Sequence, residues 1–286
     1  MIHLLALLGV VSISFSPILV RLASVSPVTA TFFRAAYAVP VLFLVWLFQR
    51  GGDNRTARER VIAFTSGLIL AIDLALWHES IALVGAGLGT VIANVQVVFV
   101  AAAAWALYGE RPSRGTIAVI ATVLAGVAMT TGLSRSDAYG ANPPLGAVLG
   151  LLSGVAYAAF LLVFRAATKS LAPTSGPLLD STIGTVVGAL ACAAFDTGFS
   201  LAPVWPAHGW LVLLALVSQV VGWLLIATAL PRLPAVETSV MLLGQPILAV
   251  MWGLLWFAER LSPLQWAGSV LVLVGVASIR RTAAGG

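Results

Sequence analysis

The feature that most constrains this chain is a succession of apolar runs, each close to twenty residues long, separated by short stretches of charge, glycine or proline. They fall near residues 2–21, 28–48, 61–83, 87–108 and 115–133. After the polar stretch SRSDAYGANPP at 134–144 they resume near 145–164, 177–195, 209–229, 234–257 and 263–279. A bilayer core of roughly 30 Å is crossed by a helix of about 20 apolar residues, so each run reads as a membrane span. Strands do not fit, because the runs are about twice the length of a barrel strand and an open sheet edge in hydrocarbon leaves backbone groups unpaired. With 60% hydrophobic and 9% charged residues and a mean hydropathy of +1.05, no separate soluble domain is expected. The prediction is an all-α integral membrane protein of about ten transmembrane helices.

The remaining composition narrows the chemistry. Cys192 is the one cysteine and lies in an apolar run, which leaves neither a disulfide framework nor a cysteine metal site. The fifteen basic residues are dispersed through loops and form no basic stripe, so no nucleic-acid partner is expected. They read instead as topology signals. An N-terminus inside puts Arg50, Arg55, Arg58, Arg60, Arg111, Arg114, Arg165, Lys169, Arg232, Arg280 and Arg281 in the cytoplasm. Only Arg21, Arg34, Arg135 and Arg260 then fall on the other side, which is the bias that cytoplasmic loops carry. Both termini are thereby placed in the cytoplasm. Arginine in place of lysine and abundant alanine point to a bacterial genome, hence to the inner membrane. The segment from Ile2 to Val20 lacks a basic leader region and outruns a typical signal core, so it reads as the first span.

Self-similarity adds the architecture. GERPSRGTIAVIATVLAGVAM from Gly109 aligns without gaps to AERLSPLQWAGSVLVLVGVAS from Ala258, pairing Glu110 with Glu259, Arg111 with Arg260 and Gly126 with Gly275. The same register joins Ala86 to Ala235, Thr90 to Ser239 and Gln96 to Gln245. Each half then carries an odd number of spans, so the second enters the membrane from the opposite side and the repeats are inverted. Inverted repeats are the architecture of many secondary transporters, in which exchange of the two halves' conformations turns an inward opening into an outward one.

These repeated segments, together with FFRAAYAVPVLFL in span two and PAVETSVMLLGQPILAVMWGLLWFAERLS in span nine, resemble the EamA domain of the drug/metabolite transporter superfamily. The resemblance covers both halves, 1–137 and 143–286. It implies metabolite efflux, with amino-acid export as the leading case and multidrug or nucleotide-sugar transport as the alternative. It further implies a cavity lined by spans one, three, four, six, eight and nine.

Candidate site residues follow from depth and helical phase, because positions three, four or seven apart share a helix face. Ionisable groups at bilayer depth are costly and become functional candidates. Asp73, about twelve residues or roughly 18 Å into span three, is the best-placed acid: a proton-coupling group or a contact for a substrate ammonium, against a hydrogen-bonded structural acid. Trp77 and His78 lie one turn beyond it. Ser12 and Ser16 share a face of span one, and Ser153 and Tyr157 one of span six. Gln219 and Trp223 do so in span eight, and Met241 and Gln245 in span nine. In span four Asn94 faces nearly opposite to Gln96, so Asn94 goes to the cavity while repeat symmetry makes Gln96 and Gln245 a structural pair. Aromatic walls with amide donors and acceptors suit a polar organic solute such as an amino acid. The competing reading for each residue is hydrogen bonding between packed helices.

A membrane-embedded enzyme is the rival from another class. It lacks support: there is no GxSxG, no HExxH and no clustered histidine among His3, His78 and His208. No catalytic residue, metal or cofactor is expected. The expected partners are the lipid bilayer and a small-molecule substrate.

Overall fold

The computed structural model describes residues 1–84, 92–109, 111–130, 142–168, 173–257 and 263–283, and all regular structure among them is helical. Six helical stretches are long and apolar enough to cross a membrane: Ile2–Ala23, Pro27–Gly52, Ala57–Ser80, Pro144–Ala167, Ser175–Phe195 and Ala207–Arg232. Shorter apolar helices at Ile92–Tyr108 and Arg114–Met129 fall where spans four and five were expected. The chain is a multi-pass membrane protein. Thr90, Glu110, Glu259, Arg260 and the polar stretch around 134–141 lie outside the described residues.

The chain forms two compact units that do not coincide with the sequence halves. The first combines Met1–Ala75 with Ala159–Leu233, and the second Leu76–Ala158 with Pro234–Gly286. Each therefore draws on both repeats.

In the first unit, α1 (Ile2–Ser14) and α2 (Ser16–Ala23) make up the first span. The break falls at Phe15, because Pro17 has no N–H for the carbonyl four residues back. Next comes α3 (Pro27–Gln49), whose start is set by Ser26, its Oγ accepting from Thr29 N–H at 3.4 Å, and by Pro27 at the first turn. α4 (Ala57–Val84) opens on a reciprocal cap: Thr56 N–H donates to Glu59 Oε2 at 2.7 Å and Glu59 N–H to Thr56 Oγ1 at 3.3 Å. It runs beyond this unit, as does the helix that enters it from the second. α8 (Ser175–Cys192) packs on α3 and, at a glycine crossing, on α4. A methyl group on Gly67 would collide with the Ser181 carbonyl, and one on Gly184 with the Phe64 carbonyl, so these helices touch backbone to backbone. The last span is α9 (Ala207–Leu214), a π-helical segment Ala215–Gly222 and α10 (Trp223–Ala229). It crosses α1 where Gly9 meets Ile226 and Gly222 meets Ile13.

The second unit holds α5 (Gln96–Tyr108), α6 (Arg114–Thr130), the first part of α7 (Pro143–Ala167), α11 (Ala235–Leu242), α12 (Gly244–Phe257) and α13 (Pro263–Ala283). Its pairings follow the repeat: α6 packs on α13 and α5 on α11. The match extends to atoms. A methyl on Gly126 would stand 2.7 Å from Val272 Cγ2, and one on Gly275 would collide with Val123 Cγ2. The two glycines and the two valines are each 149 residues apart, so each helix seats its valine in the other's glycine notch.

Candidate functional site

The polar residues singled out from the sequence fall into two sets, one in each unit. In the first, the break at Phe15 leaves Ser16 Oγ buried with no hydrogen-bond partner among the described residues. Ser12, half-buried on α1, presents its carbonyl to Ser218 Oγ at 3.4 Å. Gln219 and Trp223 follow on the π segment and α10, and both are buried. π-helical turns are rare in α-helices and are frequently found at functional sites.

Gln219 is engaged at both ends of its amide. Its Oε1 accepts from Arg34 Nε at 2.9 Å, and its Nε2 donates to Thr182 Oγ1 at 3.1 Å. It thus ties α3, α8 and the π segment together, which is the bracing role that competes with solute contact. Trp223 differs. Its ring is 3% exposed and meets Phe160 edge-on at 5.0 Å and Phe164 at 6.1 Å, yet its indole Nε1 has no acceptor among the described residues. A buried donor left without a partner costs about 1–3 kcal/mol. Such a group calls for an explanation in a bound water, ion or solute.

Asp73 is 6% exposed on α4. It shares a face with Ser66 and Ser80 at seven-residue spacing. Ser66 Oγ donates to the Ala63 carbonyl and to Ser181 Oγ at 2.9 Å, and Ser80 Oγ to the Gly146 carbonyl at 2.7 Å.

In the second unit, spans four and nine break at nearly equivalent positions. Val95 interrupts the turn between Ile92–Asn94 and α5, and Leu243 separates α11 from α12. In span nine Pro246 has no N–H to close the turn; no proline accounts for the break in span four. Gln96 Oε1 accepts from Ser239 Oγ at 3.1 Å across α5 and α11, so its bonded partner is Ser239. Gln245 Nε2 and Thr238 Oγ1 have no partner among the described residues. Met241 is buried, and Asn94, Tyr157 and Trp77 are half-buried. The rings of Trp77 and His78 lie tilted at 47° with their centroids 5.0 Å apart.

One constellation the sequence reading passed over lies at the end of the first unit where α3 finishes. Arg55, assigned from sequence only as a topology signal, is 7% exposed. Its Nε and Nη2 donate to Asp53 at 2.7 and 2.9 Å, and its Nη1 donates to Asp180 on α8 at 2.7 Å. Trp46 Nε1 adds a 2.7 Å bond to Asp53. The Arg55 hydrogen bonds, helped by Trp46 against the cost of burial, hold the Asp53 carboxyl at about 2. Burial pulls the Arg55 guanidinium down, but its two carboxylates outweigh this and leave it raised. The legible signal was the Asp-x-Arg spacing at 53–55. Arg34 and Asp180, repeat-equivalent by the prolines before them, have separate partners.

Comparison with known proteins agrees with this architecture. The EamA-like transporter family matches residues 1–132 and 144–281. The uncharacterized transporter YwfM of Bacillus subtilis is 24% identical over 237 residues, 82% of this chain and 78% of its own. An uncharacterized protein of Pseudomonas aeruginosa, PA1977, is 32% identical over 138 residues, 48% of this chain and 46% of its own. A crystal structure described only as that of a protein shares the fold, with a TM-score of 0.83 at 16% identity over 99% of this chain and 97% of its own.

Proposed function

The chain belongs to the EamA-like transporter family of the drug/metabolite transporter superfamily, and from that premise we propose that it exports amino acids or related small metabolites. The membrane is the bacterial inner membrane, with both termini in the cytoplasm, and the mechanism is alternating access by the two inverted repeats, 1–137 and 143–286. The observation that carries the reading is the pair of local helix irregularities at Val95 and Leu243, where the backbone stays right-handed helical and tightens to 3₁₀-type bonding. A 3₁₀ turn inside a helix often marks a functional hinge, and here the two fall at nearly corresponding positions of the two repeats. Polar groups beside the breaks support it: Asn94 and Gln245 in one unit, Ser12, Ser16 and Trp223 in the other. The indole N–H of Trp223 supplies a donor for a carboxylate, and aromatic rings, Tyr157 and Trp77 among them, receive an ammonium or an apolar side chain. Asp73 at mid-depth is the proton-coupling or ammonium-binding acid. Gln219, Met241 and His78 complete the lining set.

Uptake and counterflow of radiolabelled amino acids in proteoliposomes, with and without an imposed pH gradient, test this. Saturable flux that unlabelled substrate competes, and that the gradient accelerates, is the expected result. Correctly inserted protein that moves no amino acid would refute the solute assignment. Flux indifferent to the pH gradient would remove the proton-coupling role from Asp73.

A further inference from the structure

At the Arg55 end of the first unit, α4 and α8 flank an open cleft of about 210 Å³ lined by Arg60, Val61, Phe64, Asp180 and Ile183. We infer that this cleft is a binding site for the headgroup of an aminophospholipid such as phosphatidylethanolamine. Arg60 lies roughly 5 Å along α4 and Asp180 roughly 8 Å along α8 at the helical rise, the depth at which headgroups meet acyl chains.

Charge supplies the argument for a zwitterion. The Asp53 carboxylate is saturated by Arg55 and Trp46, so Arg60 reaches it only at 3.9 Å, beyond hydrogen-bonding distance, with its side chain 47% exposed. The Arg60 guanidinium is left to meet a phosphate, for which its planar fork is suited. Asp180 gives Oδ2 to Arg55, and its side chain keeps 22% exposure. Its Oδ1 accepts no hydrogen bond from the described residues and can take one from a primary ammonium. Asp53, Arg55, Asp180 and Arg60 sum to zero charge, the complement of a headgroup that is itself neutral overall. Val61 and Ile183 are 62% and 38% exposed on the outer face, where they and Phe64 form a floor for the glycerol and first methylenes.

Native mass spectrometry of the full-length protein, with added phosphatidylethanolamine, phosphatidylglycerol or phosphatidylcholine of identical acyl chains, tests the site. Phosphatidylethanolamine should be retained on the order of tenfold better than the other two, the factor one charge-assisted hydrogen bond supplies. Arg60→Gln should weaken all three lipids, and Asp180→Asn should erase the preference for the ethanolamine headgroup. Because Asp180→Asn also removes a partner from Arg55, Ile183→Trp is the second variant. It fills the floor with every ion pair intact, and should lower phosphatidylethanolamine retention without moving the unfolding temperature. Equal retention of the three lipids, or retention unchanged in Arg60→Gln and Ile183→Trp, would overturn the site. Displacement of the lipid by an amino acid would also overturn it and assign the cleft to the transported solute. The readout is binding, so a failure of the transport reading leaves this result standing.

Discussion

Replacing Gly126 with alanine should destabilise the protein by about 2 kcal/mol, while the same change at its repeat counterpart Gly275 should cost close to nothing. The two positions are equivalent in sequence and both are buried in the contact between α6 and α13, so a reading from the repeat alone predicts equal effects. The geometry does not. A Cβ on Gly275 collides with one methyl of Val123, whose Cβ is 3.7 Å away, and the nearest backbone atom, Val119 O, is at 4.0 Å. Rotating or displacing that valine costs about 0.5–1.5 kcal/mol, which the helix propensity of alanine over glycine, about 1 kcal/mol, offsets. A Cβ on Gly126 also meets backbone, Gly268 O at 2.8 Å and Val272 N at 3.0 Å, which cannot rotate away. The helices must move apart by about 0.5 Å or more along their line of contact. That places the change near the top of the 1–3 kcal/mol range for overpacking, and the propensity gain leaves about 2 kcal/mol net. Reversible unfolding in mixed detergent–SDS micelles measures both. A double-mutant cycle sharpens the comparison: Val123→Ala should be strongly coupled to Gly275→Ala, whereas Val272→Ala should relieve Gly126→Ala only in part. Equal destabilisation by the two alanines, or full rescue of Gly126→Ala by Val272→Ala, would refute the reasoning.

Further outcomes follow from other contacts. Arg55→Ala leaves Asp53 and Asp180 without their shared cation and should cost about 3–5 kcal/mol, read as a loss of unfolding temperature. The folded pKa of Asp53 is depressed from 3.8 to about 2, so its contribution is fully present above about pH 4 and is lost as pH falls through about 2. The unfolding midpoint should therefore hold from neutral pH to about 4 and drop below it, and Asp53→Asn should flatten that drop. Trp223→Phe keeps the aromatic contacts with Phe160 and Phe164 and removes only the unsatisfied N–H, so stability should hold or rise by about 1 kcal/mol while transport in proteoliposomes falls. Gln219→Ala removes one hydrogen bond each from Arg34 and Thr182 and should lower stability by about 1–3 kcal/mol. A solute-contact role confined to Gln219 would instead reduce flux at unchanged unfolding temperature.

Much of the helix inventory is legible because apolar length is a direct consequence of bilayer thickness. Pro27, Ser26 and the Thr56–Glu59 pair mark helix starts that a reader of caps finds at once. The repeat is legible too, and the structure carries it down to the Gly126–Val272 and Gly275–Val123 notches. The breaks are only half legible. Pro246 announces the one at Leu243 and Pro17 the one at Phe15, but nothing in IANVQVV marks Val95 except its equivalence to span nine. Bonding partners were the least legible of all. Helical phase puts Gln219 on the same face as Trp223, yet it cannot say that Arg34 and Thr182 occupy both ends of one amide and leave the other residue's N–H unsatisfied. Arg55 shows why charge alone misleads: a loop arginine obeys the topology rule and also closes a buried ion network, and only the position of Asp180 on another helix distinguishes the two.

The first unit is held at both ends of α3. The loop after α3 reaches across to α8 of the other half through Arg55 and Asp180, while Ser175 Oγ donates to Gln49 Oε1 at 2.7 Å. The repeat-equivalent loop after α8 returns the contact. Asp196 Oδ2 accepts from Val28 N–H at 3.1 Å and Thr29 Oγ1 from Ser200 N–H at 3.0 Å, at the first turn of α3. The two clamps stand about 34 Å apart along the 23-residue α3, one at each end. Their chemistry has diverged. One end is closed by a desolvated guanidinium between two carboxylates, a geometry that loses several kcal/mol when any member leaves. The other is closed by a carboxylate and a hydroxyl on backbone N–H groups, worth about 1.5–3 and about 0.5–1.5 kcal/mol respectively. A motion that opens one end of this unit at a time would therefore meet unequal resistance, and the Asp196 end is the one that yields first.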